Sequence, residues 1–255
     1  MSDDAFDLTL DLSAKPEQPK KPRKLRRALD AYGTVDDLAL AIVTRAAMWR
    51  PMPEAILEPT AGDGPFVRAC RSVFGVGMPI GAVDIDGSKR AACLSAGANS
   101  FMESDILRVD PAILARFDLI IGNPPFNDAA AIIDYLGKAA PHALKFFLLP
   151  VSFFGGTTGT KVKGRPVMPR NAEFKRRNRI IYFAEITPRP SFTGDGRTDR
   201  MEYGVFGFGD AAIFDGPKLD DAITWERTKP EPDADPIEVP PVDASSPSSF
   251  FFDEG

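Results

Sequence analysis

Apolar and polar positions follow two different periods along the middle of the chain. Short runs that are apolar at nearly every position predict buried strands at residues 55–58, 80–84, 117–121, 144–149, 179–186 and 203–208. Apolar positions at helical spacing predict helices near residues 66–74, 88–96 and 129–139. This alternation of strands and helices indicates an α/β fold with a mostly parallel sheet. Ligands bind such sheets at the carboxyl ends of the strands.

A further helix is predicted before the first strand. Thr34-Val35-Asp36-Asp37 has the form of a helix start, with the Thr34 hydroxyl as N-cap and Asp37 as a weaker substitute for the capping-box acid. Leu38, Ile42 and Ala46 then recur at helical spacing. We therefore expect a helix with one apolar face over this segment.

Composition divides the chain into three zones. Residues 1–27 are rich in Pro and Lys and predict a flexible arm, and residues 28–215 predict the folded domain. Residues 216–255 are rich in Pro, Ser and acids and predict a disordered tail. The tail ends in Phe250–Phe252, and two interpretations stay open: a docking peptide for a protein partner, or an end without function.

The charge and cysteine content exclude several classes of protein. The formal net charge of the 255 residues is -5, so any basic surface must be local. Two cysteines and one histidine argue against zinc clusters and disulfide frameworks, and we expect no metal. Cys70 and Cys93 are interpreted as small buried residues, because neither lies in a motif that would activate a Cys–His pair. The sequence shows no signal peptide and no membrane span, which predicts a cytoplasmic protein without membrane partners.

A glycine turn follows the first predicted strand, in Glu58-Pro59-Thr60-Ala61-Gly62-Asp63-Gly64. Glycines let a ligand approach the backbone, and the amides of the following helix point to the same place. The turn contains acids and has no Gly-Lys-Ser/Thr ending, so it is not a phosphate-binding loop. Acids suit a ligand that carries an ammonium group and hydroxyls. A plain tight turn is the alternative interpretation.

Further acids follow later strands. Asp84-Ile85-Asp86 ends the second predicted strand, where the first carboxylate suits a ribose diol and the second is interpreted as a solvated loop acid. Asp105 lies in the segment 103–107, where a carboxylate suits an adenine amino group with Ile106 and Leu107 against the ring.

Asn123-Pro124-Pro125-Phe126 follows a buried strand and carries the functional hypothesis. Two successive prolines remove two backbone donors and fix both φ angles, so the Pro124 carbonyl projects as an acceptor. The side-chain oxygen of Asn123 adds a second acceptor. Two acceptors hold both hydrogens of an exocyclic amino group, and Phe126 offers a face for a planar base. The structural alternative is a stiff turn that closes a strand.

These motifs, in this order, resemble those of the Rossmann-like amino-methyltransferases that use S-adenosylmethionine. The resemblance covers roughly residues 30–210 and is closest to DNA adenine-N6 methyltransferases, including small phage and prophage types. It implies a class I methyltransferase fold: a seven-stranded, mostly parallel sheet with one antiparallel strand, flanked by helices. It also implies site-specific methylation of adenine N6 in DNA after the base is flipped out of the duplex.

The resemblance assigns a role to each motif residue. The cofactor-binding residues, from the methionine end to the adenine end, are Thr34, Glu58, Ala61, Gly62, Asp84, Ile85, Asp105 and Ile106. Within this set, Thr34 contacts the cofactor's carboxylate and Asp84 holds the ribose. The catalytic residues are Asn123, Pro124, Pro125 and Phe126.

Residues 188–199 are similar to the loop after the sixth strand in phage-type DNA adenine methyltransferases. In those enzymes an aromatic side chain packs on the far face of the extruded base, so Phe192 is the candidate here. Gly204 and Gly207 in the following strand depart from the usual aromatic-rich pattern, which puts the packing of that strand in doubt.

A basic insert at residues 155–179 predicts contacts with DNA phosphates. It holds eight basic side chains and one acid, which gives +7 in a chain whose net charge is -5. The substrate-binding candidates within it are Lys161, Lys163, Arg165 and Arg176. A solvated loop that only keeps the protein soluble is the alternative.

Other substrates share the Asn-Pro-Pro-aromatic motif. Ribosomal RNA bases and a protein glutamine are the alternatives within the enzyme class, and we expect DNA before RNA as partner. Enzymes that modify glutamine usually have tyrosine in the fourth position and a helical N-terminal domain, and neither is seen here. A non-catalytic nucleic-acid-binding relative is disfavoured by the complete set of motifs. Restriction–modification and phage self-protection would differ only in genomic neighbours.

Overall fold

The structure is a computed structural model that describes residues 33–154, 161–162, 165–166, 174, 178–190, 201–210 and 218–224. The chain divides into two units, Met1–Asp30 and Ala31–Gly255, and the first lies outside the described residues. The predicted flexible arm and the terminal Phe250–Phe252 also lie outside them. Within the described part of the chain, no helix is both long enough and apolar enough to cross a bilayer.

Strands and helices alternate along the described chain, as predicted. The helices are α1 (Asp36–Ala47), α2 (Pro65–Phe74), α3 (Arg90–Ser95), α4 (Pro111–Leu114) and α5 (Ala129–Ala139). The strands are β1 (Ile56–Glu58), β2 (Ile80–Asp84), β3 (Ser100–Glu103), β4 (Leu119–Gly122), β5 (Leu144–Pro150), β6 (Lys161–Val162), β7 (Arg165–Pro166), β8 (Ile180–Thr187), β9 (Tyr203–Phe208) and β10 (Lys218–Thr224).

Eight of the described strands form one sheet, in the order β10-β8-β9-β5-β4-β1-β2-β3. Neighbouring strands are parallel except at β9, which is antiparallel to both β5 and β8. The predicted seven-stranded sheet with one antiparallel strand is confirmed for β1 to β5, β8 and β9. Strand β10 adds an eighth at one edge, and β6 and β7 pair separately.

The order of the strands creates a crevice beside β1. Strands β1, β2 and β3 run in sequence to one edge, and β4 then returns to the other side of β1. Such a reversal opens a binding crevice outside the carboxyl ends of the two central strands. Glu58 ends β1 and Gly122 ends β4, so the segments that follow these strands meet at the crevice.

Two cores cover the two faces of the sheet. Ile56 of β1 and Ile121 of β4 pack with α1 and α2 on one face, and Leu57 and Ile120 pack with α5 on the other. Successive side chains of a strand point to opposite faces, so a strand covered on both sides must be apolar at every position. This requirement explains why uninterrupted apolar runs identified the central strands.

Several described elements escaped the sequence analysis because they are short, among them the two-residue strands β6 and β7. Strand β3 and helix α4 have four residues each, too few to show a period. Strand β3 lies at the edge of the sheet, where it pairs with β2 only.

Strand β10 corrects the predicted domain boundary. It lies within residues 216–255, and the expectation of a disordered tail is therefore wrong for Lys218–Thr224. Two adjacent acids, Asp220 and Asp221, interrupt the apolar pattern, and the register against β8 shifts between Leu219 and Ala222. Ile223 is buried in the same core as α1, so this strand completes that side of the sheet. The rest of the predicted tail lies outside the described residues.

The predicted cap of α1 is also wrong. The residue before the helix is Val35, and no side chain caps the helix there. The Thr34 hydroxyl instead accepts a hydrogen bond from the side-chain amide of Asn123, with 3.1 Å between Nδ2 and Oγ1. Because Val35 and not Thr34 occupies the N-cap position, the Thr34 hydroxyl is one residue too early to cap the helix.

A buried arginine ties together the loops at the opposite end of the sheet. Arg71 of α2 is 8% exposed. Its guanidinium donates to four backbone carbonyls and one side-chain oxygen, those of Gly75, Val76, Met78, Gly97 and Asn99. The connections from α2 to β2 and from α3 to β3 are therefore held by one side chain.

Candidate active site

Glu58 places a buried carboxylate at the carboxyl end of β1. It is 2% exposed, and its Oε1 lies 3.1 Å from the position that a β-carbon on Gly122 would take. Among the described residues, no group hydrogen-bonds its buried Oε2. Burial raises the pKa of Glu58 well above its usual value, and the Asp84 carboxylate raises it further, whereas Arg68 lowers it. Because the ionised carboxylate is unfavourable when it is buried without a partner, a cationic ligand that pairs with it would be stabilised here.

The glycine turn after β1 leaves space beside this carboxylate. Gly62 has a φ of +52°, and no atom lies within 4 Å of the position where its β-carbon would be. Its amide donates to Oδ2 of Asp84 at 2.8 Å, and the Ala61 amide donates to the Val83 carbonyl at 2.9 Å. The Ala61 side chain is buried in the core, so only its backbone faces the turn. A ligand is therefore able to approach the backbone at Gly62 closely.

Asp84 is oriented by both loops at the crevice. Oδ2 accepts from the Gly62 amide, and Oδ1 accepts from the Asp86 amide at 2.9 Å. Each carboxylate oxygen keeps a second acceptor site, so the fixed carboxylate suits a pair of neighbouring hydroxyls. Ile85 beside it is 62% exposed and presents an apolar surface.

Asp86 and Asp105 both cap short helical turns. Asp86 accepts from the Ser88 amide, and its hydrogen bonds with Ser88 lower its pKa, so its interpretation as a loop acid holds. Asp105 is half-buried and accepts from the Leu107 amide through Oδ1. Ile106 is buried in the core under α5, so Ile85 is the predicted apolar residue that remains accessible.

The corner after β4 brings the predicted catalytic residues to the same crevice. Asn123 is half-buried, and its Nδ2 donates to Thr34. The Asp128 amide donates to the Pro125 carbonyl at 2.9 Å and closes the turn. The Phe126 ring lies 5.8 Å from the Tyr203 ring at 39°, and Tyr203 is buried at the start of β9. The corner is therefore supported from α1 and from β9.

The sequence analysis missed Arg68, Lys89 and Tyr203. Arg68 donates to Oδ1 of Asp36 at 2.7 and 3.0 Å and to the Asp63 carbonyl at 2.8 Å, which joins the start of α1 to the glycine turn. Lys89 pairs with the Asp63 carboxylate at 2.7 Å. These partners lie far apart in the sequence, and no spacing rule connects them.

The two cysteines are buried and free, which confirms their interpretation as small buried residues. Burial, followed by the Glu58 and Asp84 carboxylates, raises the pKa of Cys93 to about 12. Burial also raises the pKa of Cys70 well above its usual value. Within the described residues, no group of three or more His, Cys, Asp or Glu is arranged to hold a metal ion.

Most of the predicted substrate-binding residues lie outside the described residues. Phe192, Lys163 and Arg176 are outside the described residues, and for Lys161 and Arg165 only the backbone is described. That backbone forms a two-stranded hairpin, in which Lys161 pairs with Pro166 and Val162 with Arg165.

Aromatic side chains join two positions near the ends of the basic insert, one just before residue 155 and one five residues before residue 179. Phe153, directly after β5, and Phe174 are both buried, with ring centroids 5.8 Å apart at 78°. Phe174 also lies edge-on to Phe208 of β9, at 6.4 Å. The insert therefore leaves from the carboxyl end of β5 and returns to the same aromatic cluster.

Replacing Glu58 by glutamine is expected to stabilise the protein without ligand as pH rises. The pKa of Glu58 is higher in the folded protein, so its stabilising contribution is complete below the unfolded pKa of about 4.3 and is lost as pH rises through the folded pKa. Relative to wild type, Glu58→Gln should gain roughly 1–3 kcal/mol in the free energy of unfolding between about pH 5 and pH 8. Urea denaturation at both pH values measures this.

The matched control is Glu185→Gln, because Glu185 is exposed on β8. An equal gain in both variants, or a difference between Glu58→Gln and wild type that does not change with pH, would contradict the assignment of an uncompensated carboxylate at the crevice.

Comparison with known proteins gives partial matches. No protein-family model matches the chain. Over 74 residues it is 39% identical to the Type II methyltransferase M.CvrRI of Paramecium bursaria Chlorella virus XZ-6E, which covers 29% of this chain and 19% of the relative. Over 95 residues it is 36% identical to the Type II methyltransferase M.TthHB8I of Thermus thermophilus, which covers 37% of this chain and 20% of the relative. The match thus spans about a fifth of the length of each relative.

Two solved structures align with most of the chain. TrmN from Thermus thermophilus aligns with a TM-score of 0.44 and 17% identity, over 72% of this chain and 51% of that chain. An S-adenosylmethionine-dependent methyltransferase from Mesorhizobium loti aligns with a TM-score of 0.45 and 16% identity, over 68% of this chain and 99% of that chain.

Proposed function

We propose that this chain transfers a methyl group from S-adenosylmethionine to the exocyclic N6 of adenine in DNA. The observation that carries the proposal is the adjacency of two sites at the carboxyl ends of β1 and β4. The corner Asn123-Pro124-Pro125-Phe126 begins directly after Gly122, and Gly122 lies against the buried Glu58 carboxylate. A candidate binding site for a planar amine is thus next to a buried carboxylate that suits a cation. The names of both curated relatives support methyl transfer.

The crevice has the donors and acceptors that this cofactor needs. The buried Glu58 carboxylate and the open backbone at Gly62 suit an ammonium group and a sulfonium, and the Asp84 carboxylate suits the ribose diol. Ile85 supplies an apolar face for the adenine, and Asp105 has a second oxygen to accept from its amino group. When bound, S-adenosylmethionine supplies a methyl group that is already activated, so the protein requires no strong base.

The chain contributes mainly alignment of the target amine. The Asn123 side-chain oxygen and the Pro124 carbonyl accept from the two amine hydrogens, which directs the nitrogen lone pair toward the methyl donor. The nitrogen then loses one proton to solvent. Phe126 stacks on the base, and the buried Tyr203 ring supports Phe126 from behind. Adenine must leave the duplex to reach the corner, which requires about a few kcal/mol.

The basic insert is the proposed contact with the DNA backbone. It starts from the carboxyl end of β5, next to the strand that carries Asn123, and its ends are fixed by Phe153 and Phe174. Its charge is +7 when the eight basic residues and one acid of residues 155–179 are summed. Phosphates held there would bring a duplex to the crevice. Phe192 is proposed for the far face of the extruded base.

Removing positive charge from the hairpin should weaken DNA binding without changing chemistry. The triple variant Lys161→Ala, Lys163→Ala, Arg165→Ala should bind DNA about 10-fold more weakly and reduce the slope of log affinity against log salt by up to about 3, independently of sequence. Its rate at saturating DNA should equal that of wild type. Fluorescence anisotropy across a salt series measures the affinity and the slope, and a methylation assay at saturating DNA measures the rate.

A charge-matched control removes Arg90, Arg108 and Arg116 instead, which are exposed and do not belong to the insert. Equal losses in the two triple variants would show that only net charge matters, and the hairpin would lose its proposed role.

The decisive experiment for the proposed function is mass spectrometry of nucleosides. The full chain is incubated with unmethylated genomic DNA or with RNA, and with S-adenosylmethionine that carries a deuterated methyl group. We expect deuterated N6-methyldeoxyadenosine from DNA. Label in RNA bases would replace DNA by RNA as the substrate. The absence of label from both nucleic acids would overturn the proposal, and a calorimetric titration showing that the cofactor still binds would then indicate a non-catalytic relative.

A further inference from the structure

One hydrogen bond joins the start of α1 to the corner after β4. The Asn123 Nδ2 donates to the Thr34 Oγ1 at 3.1 Å, across 89 positions of sequence. Thr34 is half-buried and precedes α1 by two residues. The bond replaces the cap that the sequence predicts, so the hydroxyl is used for the crevice rather than for the helix.

The direction of this bond decides which end of the Asn123 amide faces a substrate. A primary amide has an acceptor oxygen on one side and two donor hydrogens on the other. An amine that presents two hydrogens is bound by the oxygen side and repelled by the NH2 side. Because Thr34 accepts from Nδ2, the NH2 side is held at α1 and the oxygen side is directed away from α1.

We propose that Thr34 is a positioning residue that orients the Asn123 amide for the target amine. The inference rests on the proposed function and goes beyond it, since Thr34 was expected to cap α1 and to contact the carboxylate of the cofactor, and no role toward Asn123 was expected. The two roles are compatible, because a hydroxyl that accepts one hydrogen bond still has a proton to donate. Thr34 therefore links the cofactor side of the crevice to the amine side.

The position of Thr34 is set by a rigid element. Leu38 and Ile42 of α1 are fully buried in the core shared with α2. Arg68 of α2 bonds to Asp36 at the first turn of α1 and to the carbonyl of Asp63 in the glycine turn. Thr34 is thus fixed relative to the glycine turn that lines the proposed cofactor site. Through its hydrogen bond, it also fixes the Asn123 side chain relative to that turn.

The test compares Thr34→Val, Thr34→Ser and the control Thr44→Val in the full chain. Valine keeps the shape of threonine and removes the hydroxyl, whereas serine keeps the hydroxyl. Thr44 lies on α1, and among the described residues its hydroxyl bonds to the Leu40 carbonyl, one turn earlier in the same helix. Single-turnover methyl transfer to unmethylated DNA is measured at saturating cofactor, and cofactor affinity is measured by calorimetry.

We expect Thr34→Val to lose about 10- to 100-fold in the single-turnover rate, as a misplaced catalytic group does. Thr34→Ser should return to within about threefold of wild type, and Thr44→Val should match wild type. If the rate loss disappears at saturating cofactor and only the affinity falls, Thr34 acts on the cofactor alone and the proposal is overturned. Failure of serine to restore the rate would overturn it as well.

A second readout does not depend on catalysis. The side-chain amide signals of Asn123 in a 15N–1H spectrum are identified by their loss in Asn123→Ala. We expect slow hydrogen exchange for these signals in wild type and Thr34→Ser, and faster exchange in Thr34→Val. An unchanged hydrogen-exchange rate of the Asn123 amide in Thr34→Val would overturn the proposal even if wild type methylates DNA. If wild type transfers no methyl group, the proposed function fails, and this spectrum still decides whether Thr34 holds the amide.

Discussion

Replacing Asn123 by alanine is expected to slow methyl transfer by about 100- to 1,000-fold, the range seen when one preorganised hydrogen-bonding group is removed from an active site. In the proposed mechanism the amide supplies one of the two acceptors of the corner, and without it the target amine would be held only by the Pro124 carbonyl. The proposed cofactor-binding residues Glu58, Gly62 and Asp84 do not include this side chain. The affinity for S-adenosylmethionine should therefore stay within about threefold of wild type, a change of less than 1 kcal/mol.

Single-turnover rates and calorimetric titration with cofactor separate these two effects. The variant Asn123→Asp is a useful comparison, because it keeps an acceptor for the amine and loses the donor to Thr34. It should fall between wild type and Asn123→Ala. Near-normal turnover in Asn123→Ala would remove the corner from the mechanism, and a parallel loss of cofactor affinity would indicate a disturbed fold instead.

Replacing Arg71 by methionine is expected to lower the free energy of unfolding by about 2–4 kcal/mol, since a buried polar group that loses its partner costs about 1–3 kcal/mol. Four backbone carbonyls and the Asn99 side chain would lose the guanidinium as a donor, although Gly75 still accepts from the Met78 amide and Asn99 from the Ile80 amide. The loss is least favourable at Gly97, which is buried, and methionine replaces only the aliphatic part of the side chain. Urea denaturation monitored by circular dichroism gives the change.

The matched control is Arg108→Met, since Arg108 is exposed and its replacement should change stability by less than about 0.5 kcal/mol. Arg71→Lys should be intermediate, because an ammonium group has three donors against the five of a guanidinium. A midpoint for Arg71→Met equal to that of the control would show that the loops do not depend on this side chain.

Strand and helix patterns were sufficient to place the motifs at one edge of the sheet. The uninterrupted apolar runs at β1, β4 and β5 follow from burial on both faces, and the chemistry after each run follows from where parallel strands end. The positions of Glu58, Asp84 and Asn123 at neighbouring strand ends were therefore predictable. Strand β3, helix α4 and strand β10 were not predictable. The first two are too short to show a repeating pattern of apolar residues, and β10 contains a shift of register.

Contacts between distant parts of the chain could not be predicted from the sequence either. Thr34 has a good N-cap sequence context, and only the position of Asn123 in space shows that the hydroxyl is used otherwise. Ile85 and Ile106 are equivalent as apolar residues after an acid, yet the first is exposed and the second is buried. Which of two similar residues faces a ligand depends on helix packing, and a local pattern does not contain that information.

The contact between Phe153 and Phe174 has a consequence for divergence and for engineering. Because the two rings meet, the stretch between them is closed at its base whatever its length or composition. Doubling a closed loop adds only about 0.6 kcal/mol of entropic penalty. The segment between these phenylalanines can therefore be replaced by a loop of another length or composition, while the sheet and the corner after β4 keep their positions.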